Sequence, residues 1–359
     1  MYKLVPIMLA LFFVIMNFGS CKKQQDFDKQ QLLEGIVNDY VLPSYEDLLA
    51  KNQALEVACN HFIGSPTATS LVVVQDAWKS TMRSWSAVEL LYFGPGREAY
   101  RYLQLDNTPI SATYIENAIA DTVLIDSSYI AGRSSYTKGL ASIEYLLFDA
   151  NKNQQVVLDQ YQTANFKLRR AAYLLACIKN TKAIIAQIYK QWKSDYAHQI
   201  SMATDNSTQG GIGNFSNVLI HMSQTMARKK IGKALGKESA DGLIHTEYLE
   251  SPYAHFSWDI ILYNLKGIQQ IFGDENKGIG SYLAYLVNDG TATTDITTQI
   301  QTIESLINAR TLTLEEDLSA NTAEVEAIYQ AIGDLYEHLN NNISTYFSIT
   351  ILTNPDDGD

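Results

Sequence analysis

Helical periodicity runs through almost the whole chain and constrains its fold more than any other feature. Apolar residues recur at steps of three and four from residue 30 onward, as in Leu32, Leu33 and Ile36, and this spacing is typical of amphipathic α-helices. Only seven prolines and 20 glycines in 359 residues interrupt the pattern. No segment sustains the alternation of apolar and polar residues that a half-buried strand requires. The sequence therefore predicts an all-α protein.

The length of the chain exceeds one comfortable hydrophobic core, so we expect two helical-bundle halves packed side by side. The segment 205–213 is rich in Gly, Ser, Thr and Asn and is the best internal boundary. A helix predicted over 165–202 is long enough to form the spine of a bundle. The expected units are an N-terminal half (32–204), a linker (205–213), a C-terminal half (214–350) and a polar tail (351–359).

Local signals predict where individual helices start and stop. Pro43 should kink or break the first helix, because proline lacks the amide hydrogen that helix interiors need. Basic residues crowd the end of a helix predicted over 214–235, where the helix dipole favours positive charge; they are Arg228, Lys229, Lys230 and Lys233. N-caps are expected at Thr67 or Thr69, at Asp295 and at Asn321.

The first 31 residues have the organisation of an export signal followed by a tether. Lys3 precedes an apolar run over 4–16, a short spacer with small residues follows, and Cys21 comes directly after it. This order predicts a lipoprotein signal peptide over 1–20, lipidation of Cys21 and a lipidated tether over 21–31. An ordinary signal peptide with a chance cysteine is the alternative. Lipidation implies an anchored cell-envelope protein; the outer membrane is favoured, and its periplasmic or surface face stays open.

The chain carries a formal charge of −12, which argues against nucleic acid as a partner. The same charge is compatible with cation binding but does not demonstrate it. Beyond Cys21, only Cys59 and Cys177 remain, and they offer no metal-ligand spacing. A disulfide in an oxidising compartment and two buried free thiols are equally consistent with their positions.

Familiar catalytic motifs are absent from the sequence. HExxH, GxSxG, the P-loop and GxGxxG are all missing, and His245–Thr246–Glu247 is not followed by a second histidine at the required spacing. The six histidines are scattered along the chain, and such histidines are more often packed or exposed than metal ligands. The sequence therefore names no catalytic residue.

Three segments place acidic residues among apolar ones. They are 78–95 with Glu89, 138–148 with Glu144, and 250–273 with Glu250 and Asp259. A carboxylate in such surroundings is costly to bury unless it is paired, hydrogen-bonded or bound to a metal. On the residues alone, a structural ion pair is the favoured explanation, for example with Arg83 or Arg133.

Together these segments resemble the imelysin-like proteins, also classed as the M75 peptidase family and found among bacterial iron-uptake lipoproteins. The stretch from Gly139 to Phe148, GLASIEYLLF, is similar to the GxHxxE motif of the family followed by Tyr-Leu-Leu-Phe. The Trp-rich segment before Phe-Gly-Pro and the Glu-Ser-Pro-Tyr segment resemble two further family blocks. The resemblance implies two helical halves with a cleft between them. The residues expected at that cleft are Glu89, Gly139, Ala141, Glu144, Glu250, Ser251 and Asp259.

The motif departs from the family at Ala141, where the family has a histidine. A histidine and a glutamate three residues apart share one face of a helix and suit two ligands of one metal ion. The resemblance implies an iron or another divalent metal ion, yet with Glu144 as the remaining ligand we expect weak binding or none. A histidine reaching in from the second half, such as His255, is the alternative.

The resemblance implies a non-enzymatic envelope lipoprotein that binds a ligand in iron or haem acquisition. Its expected partners are the membrane, through the lipid, and an outer-membrane receptor or haem-handling protein. A scaffold or partner-binding lipoprotein with a degenerate site is the first alternative. A metallopeptidase, as the M75 label implies, is the less favoured one, because Ala141 interrupts the motif.

Overall fold

Residues 26–351 are described by a computed structural model, and this part of the chain contains helices and no strand. An isolated bridge between Asp274 and Lys277 is all that resembles sheet pairing there. The predicted all-α class is confirmed. The predicted signal peptide and Cys21 lie outside the described residues, as do residues 22–25 of the tether and the tail beyond Ile351. None of the helices described is long and apolar enough to cross a membrane.

The α-helices follow one another with short connections. They are α1 (Lys29–Ile36), α2 (Leu42–Gly64), α3 (Ala68–Val88), α4 (Arg101–Leu105), α5 (Ala112–Ala120), α6 (Ser127–Ala131), α7 (Gly139–Leu147) and α8 (Gln154–Gln162). They continue with α9 (Lys167–Gln191), α10 (Ala197–Met202), α11 (Gly211–Thr225), α12 (Ser257–Phe272), α13 (Gly278–Val287), α14 (Thr291–Asn308), α15 (Leu314–Ala320) and α16 (Thr322–Phe347). Wider π-helical turns occupy Val37–Val41, Trp192–Tyr196 and Met226–Gly232.

The expected break at Pro43 takes the form of a π-helical turn rather than an interruption. The chain stays helical from Lys29 to Gly64, and the turn Val37–Val41 joins α1 to α2. Pro43 is the second residue of α2, directly after this wider turn, so its missing amide hydrogen falls where the ordinary bonding pattern is already changed. The proline therefore changes the winding of the helix without ending it.

Two predicted helix boundaries hold and two shift. Thr67 caps α3 through a capping box with Ser70, and Asn321 is the N-cap residue of α16. The N-cap expected at Asp295 was wrong, because α14 begins four residues earlier at Thr291, whose amide donates to Asp289 at 3.0 Å. Similarly, α11 begins at Gly211, inside the segment expected to be a linker.

The long helix predicted over 165–202 is present as α9 and α10 joined by the π-helical turn Trp192–Tyr196. It packs against α2, α7 and α6. The buried apolar side chains form one continuous cluster that includes residues from both sides of the 203–210 loop. Helices before and after that loop therefore share a core, and the division into two halves stays a prediction.

The structure answers whether Cys59 and Cys177 form a disulfide. Both are buried free thiols. Burial raises the pKa of Cys59 to about 12 and raises that of Cys177 further, so neither thiol is reactive at neutral pH. These cysteines act as small apolar side chains of the core.

Candidate functional site: a buried carboxylate beside a cavity

The start of α7 depends on a glycine. Gly139 has a φ of +80°, a backbone conformation that side chains other than glycine rarely adopt. A Cβ atom at this position would lie 2.4 Å from the carbonyl oxygen of Leu105. The close approach brings α7 against the end of α4. Gly139 therefore positions the motif helix and does not itself line a cavity.

Glu144 lies on α7 and is 2% exposed. Its Oε1 atom accepts hydrogen bonds from the Ser251 hydroxyl at 2.9 Å, the Tyr253 amide at 2.9 Å and the Ala254 amide at 2.8 Å. Burial raises the pKa of Glu144 to about 8, although these three hydrogen bonds act in the opposite direction. The carboxyl group thus fastens α7 to the 251–254 segment, more than 100 residues away.

Ala141 lies one turn before Glu144 and is also buried. Its backbone amide donates to the Oδ1 atom of Asp106 at 3.1 Å. The pKa of Asp106 is raised well above its ordinary value, first by burial and then by the charges of Glu250 and Glu89. The sequence analysis missed Asp106, because its role depends on contacts between distant segments.

A buried lysine joins two of the predicted cleft carboxylates. The Nζ atom of Lys230 donates to both carboxylate oxygens of Glu89 at 3.0 Å and to Oε2 of Glu250 at 2.5 Å. Asn264 adds a hydrogen bond of 2.7 Å to Oε2 of Glu89. Glu89 is the C-cap residue of α3, where the helix dipole disfavours a negative charge, so the lysine offsets that cost as well.

Burial shifts the pKa values of Lys230 and Glu250 in opposite directions. It lowers the pKa of Lys230, but the charges of Glu250 and Glu89 outweigh it and the pKa is raised overall. Burial raises the pKa of Glu250, and the Lys230 charge partly offsets the rise. The lysine stays charged and the two carboxylates are held by it.

The expectation that Lys230 merely adds charge at the end of its helix was incomplete. The side chain is 6% exposed and lies in the π-helical turn Met226–Gly232. One signal was present in the sequence. Met222, Met226 and Lys230 recur every four residues, and both methionines are buried. A lysine on such an apolar stripe indicates a buried charge that needs a partner.

A cavity of about 280 Å³ opens beside Glu144. Its walls come from α7, from the 247–253 segment and from the loop before α5. The lining residues are Thr108, Pro109, Ile110, Ala141, Glu144, Ala150, Glu247, Leu249, Glu250, Pro252 and Tyr253. Of the residues expected at a shared cleft, Ala141, Glu144 and Glu250 line this cavity. Ser251 does not line the cavity but donates a hydrogen bond to Glu144. Glu89 is linked to the cavity residue Glu250 by their shared hydrogen bonds with Lys230.

Asp259 lies apart from this group. Its Oδ1 atom accepts hydrogen bonds from Arg83 at 2.8 and 2.6 Å, and the Arg83 guanidinium lies over the Phe256 ring at 5.0 Å. The structural ion pair considered for these carboxylates therefore explains Asp259. Arg133, the other arginine considered, lies over the Tyr129 ring.

His255 does not take the place of the missing motif histidine. Its Nε2 atom lies 2.9 Å from the carbonyl oxygen of Ala150, and its Nδ1 atom lies 3.5 Å from Oε1 of Glu315. The ring is not among the groups that line the cavity. The suggestion that His255 reaches Glu144 as a second metal ligand is corrected by these contacts.

The donor set around the cavity does not fit a transition-metal ion. Among residues 26–351, no three His, Cys, Asp or Glu side chains are grouped so that they could hold a metal. Ala141 supplies no imidazole, and Glu89 and Glu250 are already engaged by Lys230. One oxygen of Glu144 is saturated by three donors, which leaves a single oxygen where a metal site needs several ligands.

The fold and the site define a class of protein. Its members are all-α, and distant segments meet at buried carboxylates beside a cavity. The chain belongs to the imelysin (peptidase M75) family, whose sequence model matches residues 41–342. The resemblance drawn from the three acidic segments is confirmed.

Relatives with known names agree with this assignment. Iron-regulated protein A of Synechococcus elongatus is 30% identical over 135 residues, which are 38% of this chain and 36% of that protein. The fold is similar to the structure of an iron-regulated protein A precursor from Parabacteroides distasonis, with a TM-score of 0.75 and 21% identity, over 90% of this chain and 97% of the other. An imelysin-like protein from Psychrobacter arcticum gives a TM-score of 0.75 at 18% identity, over 91% and 97%.

Proposed function

We propose that this protein is a lipid-anchored, non-enzymatic binding protein of the cell envelope that serves iron acquisition. The ligand enters the cavity beside Glu144. The observation that carries the proposal is that two family segments 107 residues apart meet at this cavity, where the buried Ser251 hydroxyl donates a hydrogen bond to Glu144. Membership of the imelysin family and the iron-regulated name of one relative support the connection with iron.

Binding is favoured over peptide hydrolysis by the state of the carboxylates. Glu89 and Glu250 are engaged with Lys230, and Glu144 holds the 251–254 segment. A general base must instead be free to reach a substrate or a water molecule. Since the donor set does not suit a bare transition-metal ion, the ligand is recognised through organic groups.

A scaffold that binds only a partner protein is the second candidate. The observation in its favour is the Lys230 ion pair, because it connects three distant segments of the fold without any ligand. The two candidates differ in whether the cavity is needed for function, so variants of Glu144 separate them.

The test is growth under iron limitation of a strain whose own copy of the gene is replaced. We expect the deletion strain to grow more slowly and hold less iron than the parent, and the wild-type gene to restore both. The Glu144→Gln variant should fail to restore them, whereas Glu337→Gln, a matched change on the exposed face of α16, should succeed. Equal growth of the deletion strain and its parent would overturn the iron role. Full restoration by Glu144→Gln would favour the scaffold.

The lipid anchor is tested separately. We expect the wild-type protein to fractionate with membranes and to incorporate radiolabelled palmitate, and the Cys21→Ser variant to lose both properties. Palmitate incorporation by Cys21→Ser at the wild-type level would contradict anchoring at this cysteine.

A further inference from the structure

We propose that the cavity beside Glu144 binds a compact organic cation that carries N–H donors, namely an alkylammonium or guanidinium group. The inference rests on the proposed function, in that the cavity is taken to be the ligand site, and it names the chemical class of that ligand.

The hydrogen bonds of Glu144 are unevenly shared between its two oxygens. Oε1 accepts all three of the hydrogen bonds from the 251–254 segment, and the described residues supply no donor to Oε2. The side chain is 2% exposed and forms part of the cavity wall. Because Oε2 has no donor from the protein and Glu144 lines the cavity, an N–H group of a ligand at this point gains a strong, charge-assisted hydrogen bond with the ionised carboxylate.

The charges around the cavity also favour a cation. Glu144, Glu247 and Glu250 line it, and no lysine or arginine does. Lys230 offsets Glu250 from outside the lining, but it is shared with Glu89. Glu247 lies at the exposed side, next to His245 at 2.8 Å. With Glu144 ionised, a positively charged group in the cavity meets acidic side chains and no basic side chain in the wall.

The walls select an organic cation over a metal ion. Pro109, Ile110, Leu249 and Pro252 contribute apolar surface on several sides. A hard metal ion needs six or more oxygen ligands or keeps its water shell, and apolar walls supply neither. An alkyl chain or a flat guanidinium buries apolar surface against them. The volume of about 280 Å³ lies just below the usual range of ligand pockets, roughly 300–1,000 Å³, so the ligand group is small.

Binding of such a cation is coupled to release of a proton. Burial raises the pKa of Glu144 to about 8, so in the empty cavity its carboxyl group is mostly protonated at pH 7. The other titratable groups that face it are Asp106, Glu247, Glu250 and Tyr253. When the cation binds, the proton leaves Glu144 for the solvent and the carboxylate pairs with the ligand. The affinity should therefore rise with pH.

The experiment measures binding to the full-length protein in detergent by isothermal titration calorimetry. The probes are butylammonium and methylguanidinium, with butanol as the neutral control and tetramethylammonium as the cation without N–H donors. We expect the first two to bind and both controls to bind at least tenfold more weakly. For methylguanidinium, which is charged throughout, the affinity should be about tenfold higher at pH 9 than at pH 7, because the ionised fraction of Glu144 changes by that factor.

Two variants identify the site. Glu144→Gln keeps an oxygen for the three donors but replaces Oε2 by a donor, and should weaken binding at least tenfold. Ala141→Leu should also weaken it by filling the cavity, whereas Glu337→Gln should leave it unchanged. Equal binding of butanol and butylammonium, or unchanged binding by both cavity variants, would overturn the proposal.

The source of the cation is distinguished by peptides. Binding of Gly-Lys-Gly or Gly-Arg-Gly in competition with butylammonium would assign the cavity to a basic side chain of a partner protein. Binding of the free cations alone would assign it to a small molecule. Failure of every cation, together with slow growth of the deletion strain under iron limitation, would sink this inference and leave the proposed function standing.

Discussion

Lys230 donates hydrogen bonds of 3.0 Å to both carboxylate oxygens of Glu89, across 141 residues of sequence. The same ammonium donates to Oε2 of Glu250 at 2.5 Å. The lysine side chain is 6% exposed, so solvent does not replace these partners. Lys230 lies in the π-helical turn after α11. It connects that turn to the end of α3 through Glu89 and, through Glu250, to the 251–254 segment that donates to Glu144. Its contacts make it the most consequential polar residue that the sequence analysis did not single out.

Removing the ammonium should leave two partly buried carboxylates without their counter-charge. We expect Lys230→Met to lower the free energy of unfolding by about 3–5 kcal/mol at pH 7. The loss should shrink at lower pH as Glu250, whose pKa is raised by burial, takes up a proton. Urea denaturation followed by circular dichroism measures this. The control is Lys237→Met, which removes an exposed ion pair with Glu326 and should have no measurable effect; equal effects of the two variants would contradict the assignment.

Gly139 offers a test of backbone geometry. We expect Gly139→Ala to destabilise the protein by about 1–3 kcal/mol or more, since a φ of +80° disfavours alanine and the added Cβ would collide with the Leu105 carbonyl. Gly333→Ala in α16 is the matched change, because no atom lies within 4 Å of its added Cβ. It should stabilise the helix by about 0.5–1 kcal/mol. Thermal unfolding of both variants gives the comparison, and a neutral Gly139→Ala would be inconsistent with this conformation.

The buried carboxyl group of Glu144 should make the stability of the protein depend on pH. Its pKa in the folded protein is about 8 against an ordinary value of 4.5, so the folded state holds the proton more tightly. This contribution is fully present below about pH 4.5 and is lost as the pH rises to about 8, by an amount on the order of a few kcal/mol. Glu144→Gln should flatten the decline between pH 5 and 9, as measured by urea denaturation. A decline that Glu144→Gln and Glu337→Gln leave equally steep would show that other groups cause it.

Adding an imidazole at position 141 should create a metal site. Ala141 lines the cavity one turn before Glu144, so a histidine there shares its face of α7. We expect Ala141→His to bind Zn²⁺ measurably in calorimetry, and the wild-type protein to bind it at least tenfold more weakly. The double variant Ala141→His with Glu144→Gln should lose the gained affinity. Zinc binding that survives in the double variant would place the metal elsewhere.

The fold was accessible from the sequence because it follows from local patterns. Apolar residues at steps of three and four define the helices, and Thr67 marks the start of α3 by its own side chain. The cavity wall was accessible in part, since the resemblance brought Ala141, Glu144 and Glu250 to one place. The polar partners of these residues could not be predicted. The ion pair of Lys230 with Glu89 and the hydrogen bond from the Ala141 amide to Asp106 depend on how helices pack, not on spacing along the chain. Asp259 shows the converse: it occurs in a family-like segment, yet it pairs with Arg83 away from the cavity.

The winding of Met226–Gly232 determines where Lys230 points. A π-helical turn accommodates one residue more than an α-helical turn, and each residue turns a helix by about 100°. The extra residue is taken up within the turn, so a one-residue deletion there would restore ordinary winding and leave the neighbouring residues close to their present faces. A one-residue deletion in α11 would instead rotate everything after it by about 100° and carry Lys230 away from both acidic partners, unless the turn unwound to absorb the change. In comparing diverged copies of this protein, the position of a gap relative to this turn therefore matters as much as its length.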